Sequence, residues 1–216
     1  HIDGGMVEYM SVPQDSLIQG KDLSFEELAL VEPLAIGANA VRLAAIEPGE
    51  FVLVTGSGPI GMGIMEMAKI AGAKVISMDI SQERLDFCSS VIDIDYIINT
   101  SDQPAKILEE ITKGDWPTKI FDATGNVNAI INGFEYLAHG GRYLLVGIQK
   151  GDICFNHPSF HKRETTLMSS RNATHEDFEH VINSMKGGLI KAQSYITHKL
   201  PFDEVVAAFE MLTKPD

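Results

Sequence analysis

The chain has 216 residues, 44% of them hydrophobic, and a formal net charge of −13 at neutral pH. That is enough for one large domain, or one and a half ordinary ones, with an ordinary apolar core. An acidic chain without a block of basic residues argues against nucleic acid, where Lys and Arg must replace the counterions along phosphates, and against an anionic membrane surface. Two cysteines, Cys88 and Cys154, are too few for a disulfide framework and point to a reducing cytoplasm. No apolar run of transmembrane length and no signal peptide is present.

In chain order, Met6–Pro13 alternates and predicts a strand after the Asp3-Gly4-Gly5 turn. Ser24, with Glu27 three residues on, predicts a capping box at the start of a short helix, which Glu32-Pro33 then breaks. Helical spacing resumes from Leu34 to Ile46, where the small residues Ala35, Gly37, Ala38 and Ala40 imply close packing against a neighbour. Strands are predicted at Phe51–Thr55, Lys74–Met78, Tyr96–Ile98, Lys119–Asp122, Arg142–Val146 and Thr165–Ser169. Helices alternate with them: one from Ile60 to Ala71 stopped by Gly72, one capped by Ser81, one at Pro104–Thr112 with Pro in its first turn, and one running to about Leu137. After the last strand come a helix at Thr174–Met185 and another from Pro201 through Leu212. Alternating strands and helices predict an α/β fold built on a doubly wound, parallel, six-stranded Rossmann sheet, with ligands beyond the carboxyl ends of the strands.

The chain is organised around Phe51–Asp79. Gly56, Gly58 and Gly61 form G-x-G-x-x-G between a strand and a helix, and Asp79 follows 18 residues after Gly61. Gly56 permits the tight turn, Gly58 lets a pyrophosphate approach the backbone, and Gly61 lets the helix pack close to the sheet. Pro59 and Ile60 open the helix, whose N-terminus attracts phosphate. Asp79 suits a ribose diol and repels a 2′-phosphate, and Ile80 rather than Arg follows it, so the cofactor predicted is NAD rather than NADP. The alternative for such a turn is another parallel α/β protein, such as a methyltransferase.

The segments VEPLAIGANAV, PGEFVLVTGSGPIG, FDATGN, GGRYLLVGI and YITHKLPFDEVVAAFE resemble the medium-chain dehydrogenases, most closely the zinc-dependent polyol and sugar-acid branch of the sorbitol-dehydrogenase type. The resemblance implies a two-domain enzyme in which zinc polarises an alcohol oxygen and a hydride passes to nicotinamide. It implies residues 1–33 as the end of a first catalytic-domain segment, 34–170 as the NAD-binding Rossmann domain, and 171–216 as the return to an incomplete catalytic domain. The family's zinc-binding cysteine, its His-Glu pair and its structural-zinc cysteines have no counterpart here. The first residue is His1 rather than Met, which predicts a fragment. The resemblance also implies a homodimer or homotetramer paired through the last strands. An NAD-binding fragment without catalytic activity is the alternative to a working dehydrogenase.

Glu32, just before Pro-Leu, matches the family position that ligates zinc or holds its water; the plain alternative is a solvated Glu at a helix end. Arg171 matches a position in the nicotinamide and substrate pocket of the polyol branch, against a plain surface Arg. Arg84, five residues after Asp79, is read either as stacked over adenine or as a salt bridge on an exposed helix. Thr124, Val146, Gly147 and Ile148 end strands where the nicotinamide would lie. Cys154, His157 and His161 give C-x2-H-x3-H, a metal-like pattern without a fourth ligand, and Cys88 is read as a packed helix residue. Tyr195 and Lys199 give Y-x3-K, the short-chain dehydrogenase pair. This reading is rejected because Ile60 interrupts the glycine pattern that family needs and Pro201 ends any helix there.

Overall fold

A computed structural model describes residues 4–5 and 7–212. Ser24 caps the first helix, α1 (Phe25–Ala44), through a complete capping box: its hydroxyl accepts from the Glu27 N–H, and the Glu27 carboxylate accepts from the Ser24 N–H. The predicted break at Pro33 does not occur. The helix runs through it, although proline removes one backbone donor and crowds the preceding turn. Tertiary packing outweighs that local cost. A Cβ added to Gly37 would lie 2.5 Å from the backbone of Gly63 on α2 (Pro59–Ile70), and one added to Gly63 would meet Leu34 and the Pro33 carbonyl. The small residues therefore bring two helix backbones into contact. Gly37→Ala is expected to destabilise the protein by about 1–3 kcal/mol, the usual cost of overpacking a filled core, measured by urea unfolding.

Six parallel strands form one sheet: β1 (Phe51–Thr55), β2 (Lys74–Asp79), β3 (Tyr96–Asn99), β4 (Lys119–Asp122), β5 (Arg142–Leu145) and β6 (Thr166–Ser169), in the order β3-β2-β1-β4-β5-β6. This is the doubly wound order, with its switch point between β1 and β4. Side chains alternate across the sheet. Val52, Val54, Val75, Phe121 and Leu144 face one layer, made by α1, α2, α3 (Gln82–Val91) and α7 (His175–Lys186). Leu53, Ile76, Met78, Ile120 and Tyr143 face the other, made by α4 (Pro104–Thr112), α5 (Val127–Gly133) and the short α6 (His157–Lys162). The central strands β1, β2 and β4 are buried on both sides, as a parallel sheet covered by two helical layers requires, while the edge strands β3 and β6 are largely exposed.

Two further differences from the sequence reading concern local structure. Residues 7–13 are exposed and form no strand. Alternation alone cannot make one without a neighbour to accept its ladder of hydrogen bonds. The rest of that predicted strand and turn, at Met6 and Asp3, lies outside the described residues. Conversely, α6 is a helix that periodicity misses, being six residues with Pro158 in its first turn. The last helix begins with a 3-10 turn, Phe202–Glu204, before α8 (Val205–Leu212).

A buried hydrogen bond ties the segment after α7 to α2. Glu66, 6% exposed, accepts a hydrogen bond of 2.8 Å from the Tyr195 hydroxyl. Burial pushes the Glu66 carboxyl above its ordinary range, partly offset by Tyr195 and Lys191. Tyr195→Phe removes the donor from a carboxylate that is charged only above its raised pKa. The loss, about 1–2 kcal/mol, is therefore expected in full at pH 8, shrinking as acidification neutralises Glu66. Thermal unfolding of both forms at pH 8 and pH 4.5 checks it, and an equal loss at both would contradict this account.

Candidate functional site at the carboxyl edge of the sheet

The turn after β1 is built around Gly56, whose φ of +98° is natural only to glycine. Its N–H donates to the Met78 carbonyl of β2 (2.8 Å). A Cβ on Gly61 would fall onto the Gly56 carbonyl, so the first turn of α2 sits directly on the glycine turn. Gly58 is different. It caps α2 with ordinary extended backbone (φ −79°, ψ −179°), and a Cβ placed on it would meet nothing within 4 Å. The start of α2, at Gly58 and the exposed Pro59, therefore borders open space, and a helix N-terminus placed there attracts anions.

Asp79 does more than the sequence suggests. One carboxylate oxygen accepts the Ser57 N–H of the glycine turn (2.6 Å), and the other accepts the Ser81 N–H at the cap of α3 (2.9 Å). It thus locks the glycine turn to the end of β2 while keeping unused lone pairs on both oxygens. Below it, the Ser57 and Ser77 hydroxyls share a hydrogen bond of 2.8 Å. The Cys88 thiol lies 3.8 Å from the Ser57 carbonyl, and burial pushes its pKa up to about 11, so it is a packing group, as expected. Ile80 stands 82% exposed next to Asp79, and Arg84 occupies the first turn of α3, its N–H on the Ser81 hydroxyl.

On the other side of the switch point, Asp122 at the end of β4 is fully buried and accepts from the Thr124 hydroxyl (2.8 Å) and the Gly125 N–H (2.9 Å). Burial raises its pKa, and these donors oppose the rise. Its backbone carbonyl takes the N–H groups of Val146 and Gly147. A Cβ on Gly147 would overlap the Gly125 nitrogen, and one on Gly125 would lie 2.7 Å from the Ile148 carbonyl. The turns carrying Thr124 and Val146–Ile148 are therefore pressed together. Asp122 was missed at the sequence level, although an Asp two residues before Thr at a strand end is a typical side-chain-to-backbone turn.

The site is thus a row along one edge of the sheet. From Asp79 on β2 to Ile148 after β5 is three strand spacings, roughly 14 Å. Arg171 follows β6 at the far end, exposed. Glu32 lies apart on α1, also exposed. Among the described residues no three His, Cys, Asp or Glu side chains come together to hold a metal. The residues present do not by themselves make a zinc site, and Glu32 offers one carboxylate. Cys154, His157 and His161 do not form one either; the two imidazoles lie 5.8 Å apart on α6, which is exposed there. Tyr195 and Lys199 are engaged separately, with Glu66 and Glu26, and form no catalytic pair.

The fold and the row of turns define a doubly wound nucleotide-binding domain of the dehydrogenase type. Residues 59–187 match the family model described as zinc-binding dehydrogenase, and the chain belongs to that family. It is 41% identical over 210 residues to L-galactonate-5-dehydrogenase of Escherichia coli K12, covering 97% of this chain and 62% of the relative. It is 29% identical to D-xylulose reductase of Scheffersomyces stipitis, covering 97% and 60%. Among solved structures it matches a protein from E. coli CFT073, described as a short chain alcohol dehydrogenase complexed with the cofactor NADH, at 28% identity with a TM-score of 0.81, covering 89% of this chain and 57% of that one. The chain spans about three fifths of the length of the curated relatives it matches.

Proposed function

We propose that this protein takes part in an NAD-dependent, zinc-dependent oxidation, in which a hydride passes from a secondary alcohol of a polyol or sugar acid to NAD. The observation that carries the reading is the open cradle at Gly58, with Asp79 on one side and the paired turns of Thr124 and Val146–Ile148 on the other. In it Gly56, Gly58, Pro59, Ile60 and Gly61 hold the pyrophosphate, Asp79 the ribose and Arg84 the adenine. Thr124, Val146, Gly147 and Ile148 border the nicotinamide. Arg171 borders the substrate, and Glu32 is the metal-side carboxylate. The relatives named for L-galactonate and D-xylulose support polyhydroxylated substrates. An exposed guanidinium at Arg171 suits the carboxylate of a sugar acid.

The domain division that goes with this reading is 1–33 and 171–216 as catalytic-domain segments around the cofactor domain at 34–170. β6 is an edge strand, bonded to β5 alone and largely exposed. Such an edge invites pairing with a second copy, which supports a homodimer or homotetramer. No helix among the described residues is long and apolar enough to cross a membrane, and a cytoplasmic setting fits the two free thiols.

The test is calorimetric titration of the chain with NAD and with NADP, together with oxidation of L-galactonate, reduction of D-xylulose and zinc analysis on the natural polypeptide that carries this sequence. Saturable NAD binding tighter than NADP, with turnover of one substrate class, is the expected result. Failure to bind NAD overturns the reading. Binding without turnover by the natural polypeptide leaves the non-catalytic alternative.

A further inference from the structure

The inner face of α1 is lined by Leu34, Ala35, Ala38, Val41 and Ala44, with one polar exception, Asn39, which is 5% exposed. A buried amide among apolar neighbours demands partners, and Asn39 uses both ends. Its Nδ2 donates to the Ser170 hydroxyl (3.0 Å) and the Arg171 carbonyl (3.4 Å), in the turn that follows β6. Its Oδ1 accepts from Arg42 Nη2 (2.7 Å). Arg42, a partly exposed residue, forks onto both carboxylate oxygens of Asp177, at 2.8 and 3.0 Å. Asp177, 2% exposed, accepts in turn from the Thr174 N–H and hydroxyl at the start of α7. One chain of hydrogen bonds thus grips both ends of the 170–174 turn, inside which Asn172 takes the left-handed conformation (φ +58°).

The direction of the chain matters. A carboxamide has a donor end and an acceptor end. Because Arg42 can only donate, it fixes Oδ1 toward itself and turns Nδ2 toward Ser170 and Arg171. Glu32 stands seven residues earlier on the same helix, nearly the same azimuth and about 10 Å along the axis.

We propose that Asn39, oriented by Arg42, is a positioning residue for Arg171: it sets the turn that presents this guanidinium at the end of the cofactor row, referenced to the helix that carries Glu32. The proposal rests on the dehydrogenase reading above and names the residues that decide how the substrate end of the site is held.

The test uses the natural polypeptide and the sugar acid or polyol that it oxidises. Asn39→Asp keeps the size and still accepts from Arg42, but cannot donate to Ser170 or Arg171. The expected result is a rise of about tenfold in substrate KM, with the KM for NAD changed less than twofold. In an Arg171→Ala background the same change is expected to shift substrate KM less than twofold, because residues acting through one group are not additive. Equal shifts in both KM values, or a tenfold loss that persists without the Arg171 side chain, would reduce Asn39 to a structural residue and overturn the proposal. Should Asn39→Asp fail to fold, Ser170→Ala removes the partner hydroxyl alone and is expected to give the same split at about threefold; no split there also overturns it. If the unmodified polypeptide oxidises no polyol or sugar acid, the functional reading fails first and this one with it. If it does and Asn39 behaves additively, only the positioning role is lost.

Discussion

Asp79→Ala is expected to weaken NAD binding about 100-fold and to bring the affinities for NAD and NADP close together. Two effects combine. The substitution removes the acceptor for the ribose hydroxyls, with charge-assisted bonds typically contributing about 1.5–3 kcal/mol each. It also strips the Ser57 and Ser81 N–H groups of their acceptor, so the glycine turn loses one of the contacts that fix it to β2. Leaving buried donors unpaired costs about 1–3 kcal/mol apiece, so a stability loss of about 2–4 kcal/mol accompanies the binding loss. Asp79→Asn separates the two. It removes the negative charge that repels a 2′-phosphate but keeps one carbonyl oxygen, enough for one of the two N–H groups. Its stability loss is expected to be about half that of Ala, with the same relaxation toward NADP. Titrations with both cofactors, beside urea unfolding of each variant, provide the check. An unchanged ratio of NAD to NADP affinity in Asp79→Asn would sink the ribose assignment, whatever happens to stability.

The sheet and most of the helices were legible because their signals are local and mutually consistent. β-branched runs between turn residues end within a residue of the observed strands, and Ser24 and Ser81 cap the helices they were expected to cap. The departures come from the places where tertiary structure decides. Pro33 should break a helix by its own chemistry, but contact with α2 along Gly37 and Gly63 holds it. Residues 7–13 alternate like a strand, yet a strand exists only when another strand pairs with it. At the site, Gly56 and Gly61 could be placed from their spacing because each meets a backbone constraint, whereas Gly58 meets none within the protein. The Asp79–Ser57 latch and the Asn39–Arg42–Asp177 chain could not be placed that way. They join residues 22 to 135 positions apart, or bury a polar group whose partners only the folded chain supplies. One trace was visible: a single Asn inside a run of small apolar residues on α1.

Gly58→Ala and Gly61→Ala, three residues apart, are both expected to lose cofactor binding, but only Gly61→Ala is expected to lose stability as well. A methyl group on Gly61 would occupy the position of the Gly56 carbonyl. No flexible side chain is available to yield, so α2 must move off the sheet or the turn must open. The expected cost is about 1–3 kcal/mol of stability or more, together with loss of cofactor binding because the turn itself is displaced. A methyl group on Gly58 meets nothing in the protein, and its backbone angles are open to any residue. Stability should stay within about 0.5 kcal/mol of the parent, or rise slightly as the unfolded chain loses freedom. The methyl would nonetheless stand where a pyrophosphate has to touch the backbone N–H groups at the start of α2. NAD affinity is therefore expected to fall about 100-fold in a protein that is otherwise intact. Urea unfolding and NADH fluorescence titration of the two variants give four numbers that separate folding from binding. If Gly58→Ala binds NADH like the parent, the open cradle is not the phosphate site, even though the fold around it is right. If both variants lose stability alike, Gly58 is a packing residue, and the anion site must be sought elsewhere along the edge.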